Sequence, residues 1–579
     1  GKAELTADQW NALRAELGAN LADALILLPT RRAVRELGQA FIDTAGQDGA
    51  LAALLPTMRP LADVDPDEPP FEPGDLAHMI TPSIDPMRRR YALSTLVLQK
   101  EARLRGVAPD AAGALALTEP LLTLLDDSFM DGLQASDMEK LDPVIEMSAK
   151  HYGQAAVFFK IISQYWPQYL ADNDLMDPMQ RRVALLNALS DLWQESPPQT
   201  PVIIAGSTGT LAATAKLMSV VSRLPLGAII LPGLDTRLDE VVWNEVGVEH
   251  PQGALKQLLA SAGVARSQVR LFPGYERTLA QDSRRRLIAQ SLIPADQTAG
   301  WLDRIAAMKS SVEKGDPFGA GLSGLSLIEA GTGDEEASAI ALILREALET
   351  PGKNAALVTP DPLLGRRVAA KLTRFNVNVD VSAGQPLEET AAGAYLSLIL
   401  TLAADPWDPV ALAGLFKHPL FAMGQKEGAA RKLWLQIESA GFHGPRPLSL
   451  EDLAGRRDVT TGDFAPALKM IGALHNALAT LSAHDDVDAS VSDVTRLHAE
   501  IAETLAATPE LTGAQRLWCG EDGDAAQSLI SDLLREGHLL GNLKLPAYVR
   551  LLGQLMRGRV VRPKFGTEPR LQILGPLEA

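Results

Sequence analysis

The feature that most constrains this chain is a recurring pattern of short apolar run, turn and helix-length stretch, broken twice by long segments of purely helical spacing. Residues 24–28 (ALILL) are apolar without a break, which is the length and make-up of a strand buried on both faces. Pro29 and Thr30 then lead into 31–37 (RRAVREL), so the local reading is strand, turn, helix. The same order returns at 201–205 (PVIIA), a helix-like stretch over 211–221 and a second apolar run at 228–231 (AIIL). Two strands joined through a helix of that length make a parallel βαβ unit. After 325 it recurs as 325–329 (LSLIE), a helix over 334–349, 355–359 (AALVT), a helix over 362–375 and 377–380 (VNVD), with 570–574 (RLQIL) as a last strand. Residues 56–75, rich in Pro and Asp, read as a linker, and 76–200 and 395–556 carry helical periodicity with no convincing strand.

The expected fold class is therefore α/β, with two parallel-sheet domains that each carry a mostly helical insertion. The first domain is assigned to 1–75 and 201–324 with its insertion at 76–200, and the second to 325–394 and 557–579 with its insertion at 395–556. Ligands of parallel sheets bind beyond the carboxyl ends of the strands, so function is sought there. A chain of 579 residues exceeds what one core supports. No apolar run reaches the length of a membrane helix and no signal-peptide core opens the chain, which predicts a cytoplasmic protein without a membrane partner. The ends read as cuts, so a piece of a longer protein is expected.

Charge and cysteine content remove further classes. With 54 basic against 72 acidic side chains the formal net charge is −18, so any nucleic-acid contact must use local patches. Cys519 is the single cysteine, which rules out an internal disulfide framework and a four-cysteine iron–sulfur cluster within this chain. No HExxH or HxxxH pairing occurs among the nine histidines, and no metal site is predicted.

Three candidate motifs fall short of their chemistry. A phosphate-binding loop needs glycines for amide approach, a Lys and a hydroxyl; the nearest match begins at Gly206, Ser207 and Thr208, but Leu211 and Ala212 stand where Gly and Lys are required. Gly331 and Gly333 suggest a dinucleotide turn, yet Asp334, Glu335 and Glu336 put negative charge where a pyrophosphate would sit, so a tight turn complementing the helix dipole is the plainer reading. Residues 205–209 (AGSTG) resemble a strand-to-helix nucleophile elbow with Ala in its first glycine position, and Asp235 and His250 follow in the order serine hydrolases use. An α/β serine hydrolase acting through Ser207 is therefore an alternative, beside a Gly/Ser turn that merely caps a helix.

Basic residues cluster at Arg31, Arg32 and Arg35, at 88–90, at 284–286 and over 541–570. That last stretch holds Lys544, Arg550, Arg557, Arg559, Arg562, Lys564 and Arg570 against Glu568 alone. Phosphate recognition calls for such a concentration, and an anchor to acidic neighbours is the competing explanation.

The two-sheet plan with two helical insertions resembles superfamily 1 helicases. Residues 28–33 (LPTRRA), 205–215 (AGSTGTLAATA) and 573–579 (ILGPLEA) resemble, more narrowly, the AddB subunits of AddAB-type helicase–nucleases. The resemblance spans the whole chain and implies two RecA-like domains. It implies that Thr30, Arg31 and Arg32 contact single-stranded DNA, and the basic clusters add Arg35, Arg557, Arg559, Arg562 and Lys564 as further DNA candidates. It also implies that Gly206, Ser207 and Thr208 stand where an active motor carries an Asp–Glu pair, a degenerate ATPase motif, and that Arg366 and Arg367 lie where a nucleotide-facing arginine occurs. The family's iron–sulfur cluster and nuclease magnesium belong to a C-terminal domain that this sequence does not contain, so no cofactor is expected here. The implied function is a non-catalytic helicase-like subunit that binds single strands and duplex ends. It forms a heterodimer with an AddA-type motor, processes double-strand breaks for recombination and scans for a hotspot sequence. This segment is expected to have neither ATPase nor nuclease activity, while the full-length protein would be an ATP-dependent helicase/deoxyribonuclease subunit. An active nucleotide-driven helicase is the remaining alternative.

Overall fold

Leu25–Leu28 is a strand (β1) of four consecutive apolar residues, of which Ile26, Leu27 and Leu28 are buried on the two sides of a sheet. Their side chains alternate between two cores. Leu27 joins a cluster with Leu217, Val242 and Trp243, whereas Ile26 and Leu28 join one with Val34, Leu37 and Phe41 of the helix Arg31–Gln47. Helices thus cover both faces, as a parallel sheet requires. The computed structural model describes residues 21–47, 54–61, 74–105, 110–133, 137, 158–272, 278–310, 317–460, 462–562 and 568–576.

The chain divides into two units, one comprising 1–84, 125–138 and 169–328, the other 85–124, 139–168 and 329–579. In the first, β1 is flanked by β2 (Thr57–Pro60) and β3 (Val202–Ala205), and β4 (Gly227–Ile230) lies beyond β3, giving the order β2-β1-β3-β4 with every pair parallel. Strand β2 falls within 56–75, which the sequence reads as a linker. It is an edge strand with Arg59 in register with Leu27 and Pro60 with Leu28. An edge needs only one bonded side and one covered face, so its composition carries no run of buried apolar residues.

In the second unit β5 (Ala355–Val358) and β6 (Asp380–Val381) flank β11 (Leu571–Leu574) in a parallel three-stranded sheet. Between them in the chain come β7 (Gln385–Pro386), β8 (Ala489–Ser490), β9 (Asn542–Leu543) and β10 (Val560–Val561), which form two short antiparallel ribbons, β7 with β10 and β8 with β9. The helices Gly333–Ala347 and Pro362–Thr373 pack against β11 through Ala341, Leu344, Val368 and Leu372. Gly365 allows this approach, since a β-carbon there would stand 3.1 Å from Cγ2 of Ile573.

Residues 325–329, expected as a strand, form none: the segment has no ladder partner, and Leu325, Leu327 and Ile328 are exposed. Apolar content alone does not make a strand when no neighbour offers hydrogen bonds.

The rest of the second unit is helical, with one large core in which Tyr395, Leu396, Trp434, Leu474 and Leu552 meet Met87, Tyr91 and Leu115 from the helices Pro86–Arg105 and Ala111–Met130. Polar anchors fix this body. Asp522 accepts from the backbone N–H of Ala392 (3.0 Å), capping a helix start from a distant segment. His498 is fully buried, with Nε2 3.1 Å from the carbonyl of Leu396. No helix among the described residues is long and apolar enough to cross a membrane.

Candidate functional site

The chain leaves β1 toward β2 on one side and later returns to β3 on the other. The topological switch point of the first sheet therefore lies between the carboxyl ends of β1 and β3. Two loops meet there: Pro29 and Thr30 after β1, and residues 206–211 after β3.

Thr30 lies two residues past the end of β1 and starts the helix. Its Oγ1 accepts from the N–H of Ala33 at 3.1 Å and its carbonyl accepts from the N–H of Val34 at 3.1 Å, the arrangement that makes Thr a helix N-cap. This places Arg31 and Arg35 on the exposed side of the first helical turns and Arg32 half-buried between them.

Across the crevice, Gly206 has φ +81° and donates its N–H to the carbonyl of Ile230 at 3.0 Å. A β-carbon there would lie 3.4 Å from Cδ and Cγ of Pro29. Ser207 is 2% exposed, and its Oγ accepts from the N–H of Gly209 at 3.1 Å. Gly209 follows at φ +67°, and Thr208 is half-buried. The loop is thus a glycine-framed turn whose hydroxyl faces inward. The two groups of candidates in this unit, Thr30 to Arg35 and Gly206 to Thr208, are brought together as neighbours.

The hydrolase arrangement does not assemble around Ser207. His250 has both ring nitrogens occupied by backbone groups, Nδ1 accepting from Gln252 N–H (3.0 Å) and Nε2 2.8 Å from the carbonyl of Leu292. Asp235 accepts from the N–H of Arg237 at 2.9 Å. A nucleophilic serine must be reachable and paired with a free base.

The basic stretch near the end of the chain sits in the other unit and is tied down there. Arg559 pairs with Asp532 at 2.8 Å and donates to the carbonyl of Ala525 at 3.3 Å. Arg562 donates to the carbonyl of Ser382 at 3.2 Å, and Arg557 lies 3.4 Å from Glu388. Arg550 pairs with Asp110, and Arg570 with Glu568 at 3.1 Å. Lys564 lies outside the described residues. The acidic partners of Arg550 and Arg557 lie 440 and 169 residues away in sequence, so no count over a window could register them. Arg366 pairs with Glu389 at 2.6 Å, while Arg367 covers Gly333, its Nη1 3.1 Å from where a β-carbon would stand.

Arg59 is the residue that reading the sequence missed. It becomes part of the first unit's sheet only because 57–60 is a strand, where its side chain is exposed. The alternation of Thr57 and Arg59 with Met58 was the available signal.

Gly206, Ser207 and Thr208 supply no carboxylate with which to hold a magnesium ion for phosphoryl transfer. Among the described residues no group of three or more His, Cys, Asp or Glu side chains is arranged to hold a metal. No protein-family model matches the chain, and no curated protein matches it.

Proposed function

We propose that this chain is a non-catalytic, helicase-like DNA-binding subunit of the AddAB type, with two RecA-like domains, that guides single strands and duplex ends beside an AddA-type motor during recombinational processing of double-strand breaks. The observation that carries this reading is the residue set at the first sheet's switch point. A motor needs carboxylates there to hold magnesium and orient the attacking water, and the chain has Gly206, a buried Ser207 committed to its turn, and Thr208. Beside this turn a helix opens with Thr30, Arg31, Arg32 and Arg35. A helix start with adjacent arginines recognises phosphodiester oxygens without reading base sequence. Hotspot scanning belongs to the same proposal and rests on the family resemblance alone, as do the iron–sulfur cluster and nuclease magnesium placed in a further domain.

The test is binding of a fluorescent single-stranded oligonucleotide titrated with salt, with ATP turnover measured in parallel. We expect the logarithm of affinity to fall linearly with the logarithm of salt concentration, and Arg31→Ala with Arg35→Ala to lessen that slope by roughly 0.7 per arginine. ATP turnover is expected to stay at background with DNA present. Clear hydrolysis overturns the non-catalytic reading, and salt-insensitive binding overturns the DNA contact.

A further inference from the structure

Away from the switch point, the first unit holds a cavity of about 400 Å³ among the helices Leu279–Ser291, Trp301–Ser310 and Pro317–Leu322. That volume lies within the range of about 300–1,000 Å³ typical of small-molecule sites. Leu287, Ile305 and Phe318 form apolar walls, and the indole of Trp301 is half exposed at the cavity. Among the described residues the polar lining consists of Arg284, Gln290 and Ser291, with no acidic side chain. The Ser291 hydroxyl is already donated to the carbonyl of Ile288 at 2.8 Å.

Arg284 is the charged group of this lining, and it is held in place. Its Nε donates to the carbonyl of Gly321 at 3.0 Å, and its Nη2 donates to the carbonyl of Ser323. These bonds satisfy one edge of the guanidinium and fix its orientation, and among the described residues no carboxylate pairs with it. Lys309 adds a second positive charge nearby, its Nζ 5.9 Å from the centroid of the Phe318 ring. The acid on the same helix, Asp282, is turned elsewhere and shared by Arg237 and Arg286.

We infer that this cavity is a binding site for a small amphiphilic anion, a flat apolar body lying along Leu287, Ile305, Trp301 and Phe318 with its anionic head at Arg284. The apolar walls supply most of the affinity through surface removed from water. The oriented, uncancelled guanidinium supplies the preference for negative charge. The inference is independent of the DNA-binding proposal, because it uses none of the switch-point residues.

The probe is the anionic dye 1-anilinonaphthalene-8-sulfonate, compared with its neutral counterpart N-phenyl-1-naphthylamine, on the whole chain. We expect one sulfonate dye to bind per chain, about tenfold more tightly than the neutral dye, the worth of one charge-assisted contact. Arg284→Gln should erase that difference, and Ile305→Trp, which fills the cavity, should weaken both dyes. Equal affinity for the two dyes, or a preference that survives Arg284→Gln, overturns the site. Displacement of the dye by an oligothymidylate overturns it too, by assigning the cavity to nucleic acid. If Arg284→Gln lowers the melting temperature, Ile305→Trp decides alone, since it leaves both carbonyl contacts of Arg284 in place; unchanged dye affinity in that variant is then the overturning result.

Discussion

Gly206 packs directly on Pro29, with a β-carbon at residue 206 placed 3.4 Å from two carbons of the proline ring, while its backbone holds φ at +81°. The two residues directly follow the neighbouring strands β1 and β3, so this contact lies at the crevice of the switch point. A separation of 3.4 Å is close to ordinary van der Waals contact, so the dihedral decides the cost of substitution. Gly206→Ala should destabilise the first unit by about 1–2 kcal/mol, the cost of a left-handed conformation for a residue with a β-carbon. A urea midpoint unchanged in this variant would show that the turn relaxes freely.

Ser207→Ala separates a structural hydroxyl from a reactive one. Losing the acceptor for Gly209 N–H should cost about 1 kcal/mol. Turnover of simple esters should be the same in the variant and the parent, because His250 is committed to Gln252 and Leu292. Ester hydrolysis that disappears with the hydroxyl would restore the hydrolase reading.

Arg559 and Arg31 should respond to alanine in opposite ways. Asp532 is buried and paired with Arg559 and with Arg535, so Arg559→Ala leaves a buried carboxylate with its more exposed partner alone. The loss should be about 2 kcal/mol, read as a lower thermal midpoint, with oligonucleotide affinity retained in the folded fraction. Arg31→Ala should weaken DNA binding, with the loss of affinity persisting in the folded fraction. Reversed results would move the DNA contact to the second unit.

Acid should loosen the helical body before it protonates most carboxylates. Burial pushes the imidazole of His498 down to about 4, partly offset by the hydrogen bond to the Leu396 carbonyl, and burial lowers His418 and His475 as well. A histidine whose folded pKa is depressed binds its proton first in the unfolded chain, so stability is complete above about pH 6.5 and drains away as pH falls toward 4. His498 alone accounts for a loss on the order of 3 kcal/mol across that window. Urea midpoints of the parent should fall between pH 7 and 4.5, and His498→Gln should flatten the profile. A parent profile level down to pH 4.5 would contradict this.

What the sequence made legible followed burial. β1 and β3 are short runs of Leu, Ile, Val and Ala, and β4 and β11 are apolar apart from Gly227 and Gln572, because strands covered on both faces leave a largely apolar trace. β2 left no such trace, because Arg59 and Pro60 take two of its four places. Residues 325–329 had the trace without the partner. At the candidate site, Thr30 was readable as part of the turn between strand and helix and Ser207 as part of a glycine-rich turn, both local properties. The tethering of Arg550 by Asp110 was not readable, because it joins residues brought together only by the helical core.

The middle strand of the second sheet is the last to be synthesised: β11 enters between β5 and β6 roughly 190 residues after β6 ends. On the ribosome, β5 and β6 must therefore wait as two open edges while the whole helical segment emerges. Closing so long a loop is entropically slow when the intervening chain is unfolded, and far quicker when it has already condensed. The helical body is thus the timer of the sheet. A lesion in its core, at Trp434 or Leu552 for example, would first appear as a delay in sheet closure and as aggregation through the waiting edges, before any effect on the finished fold.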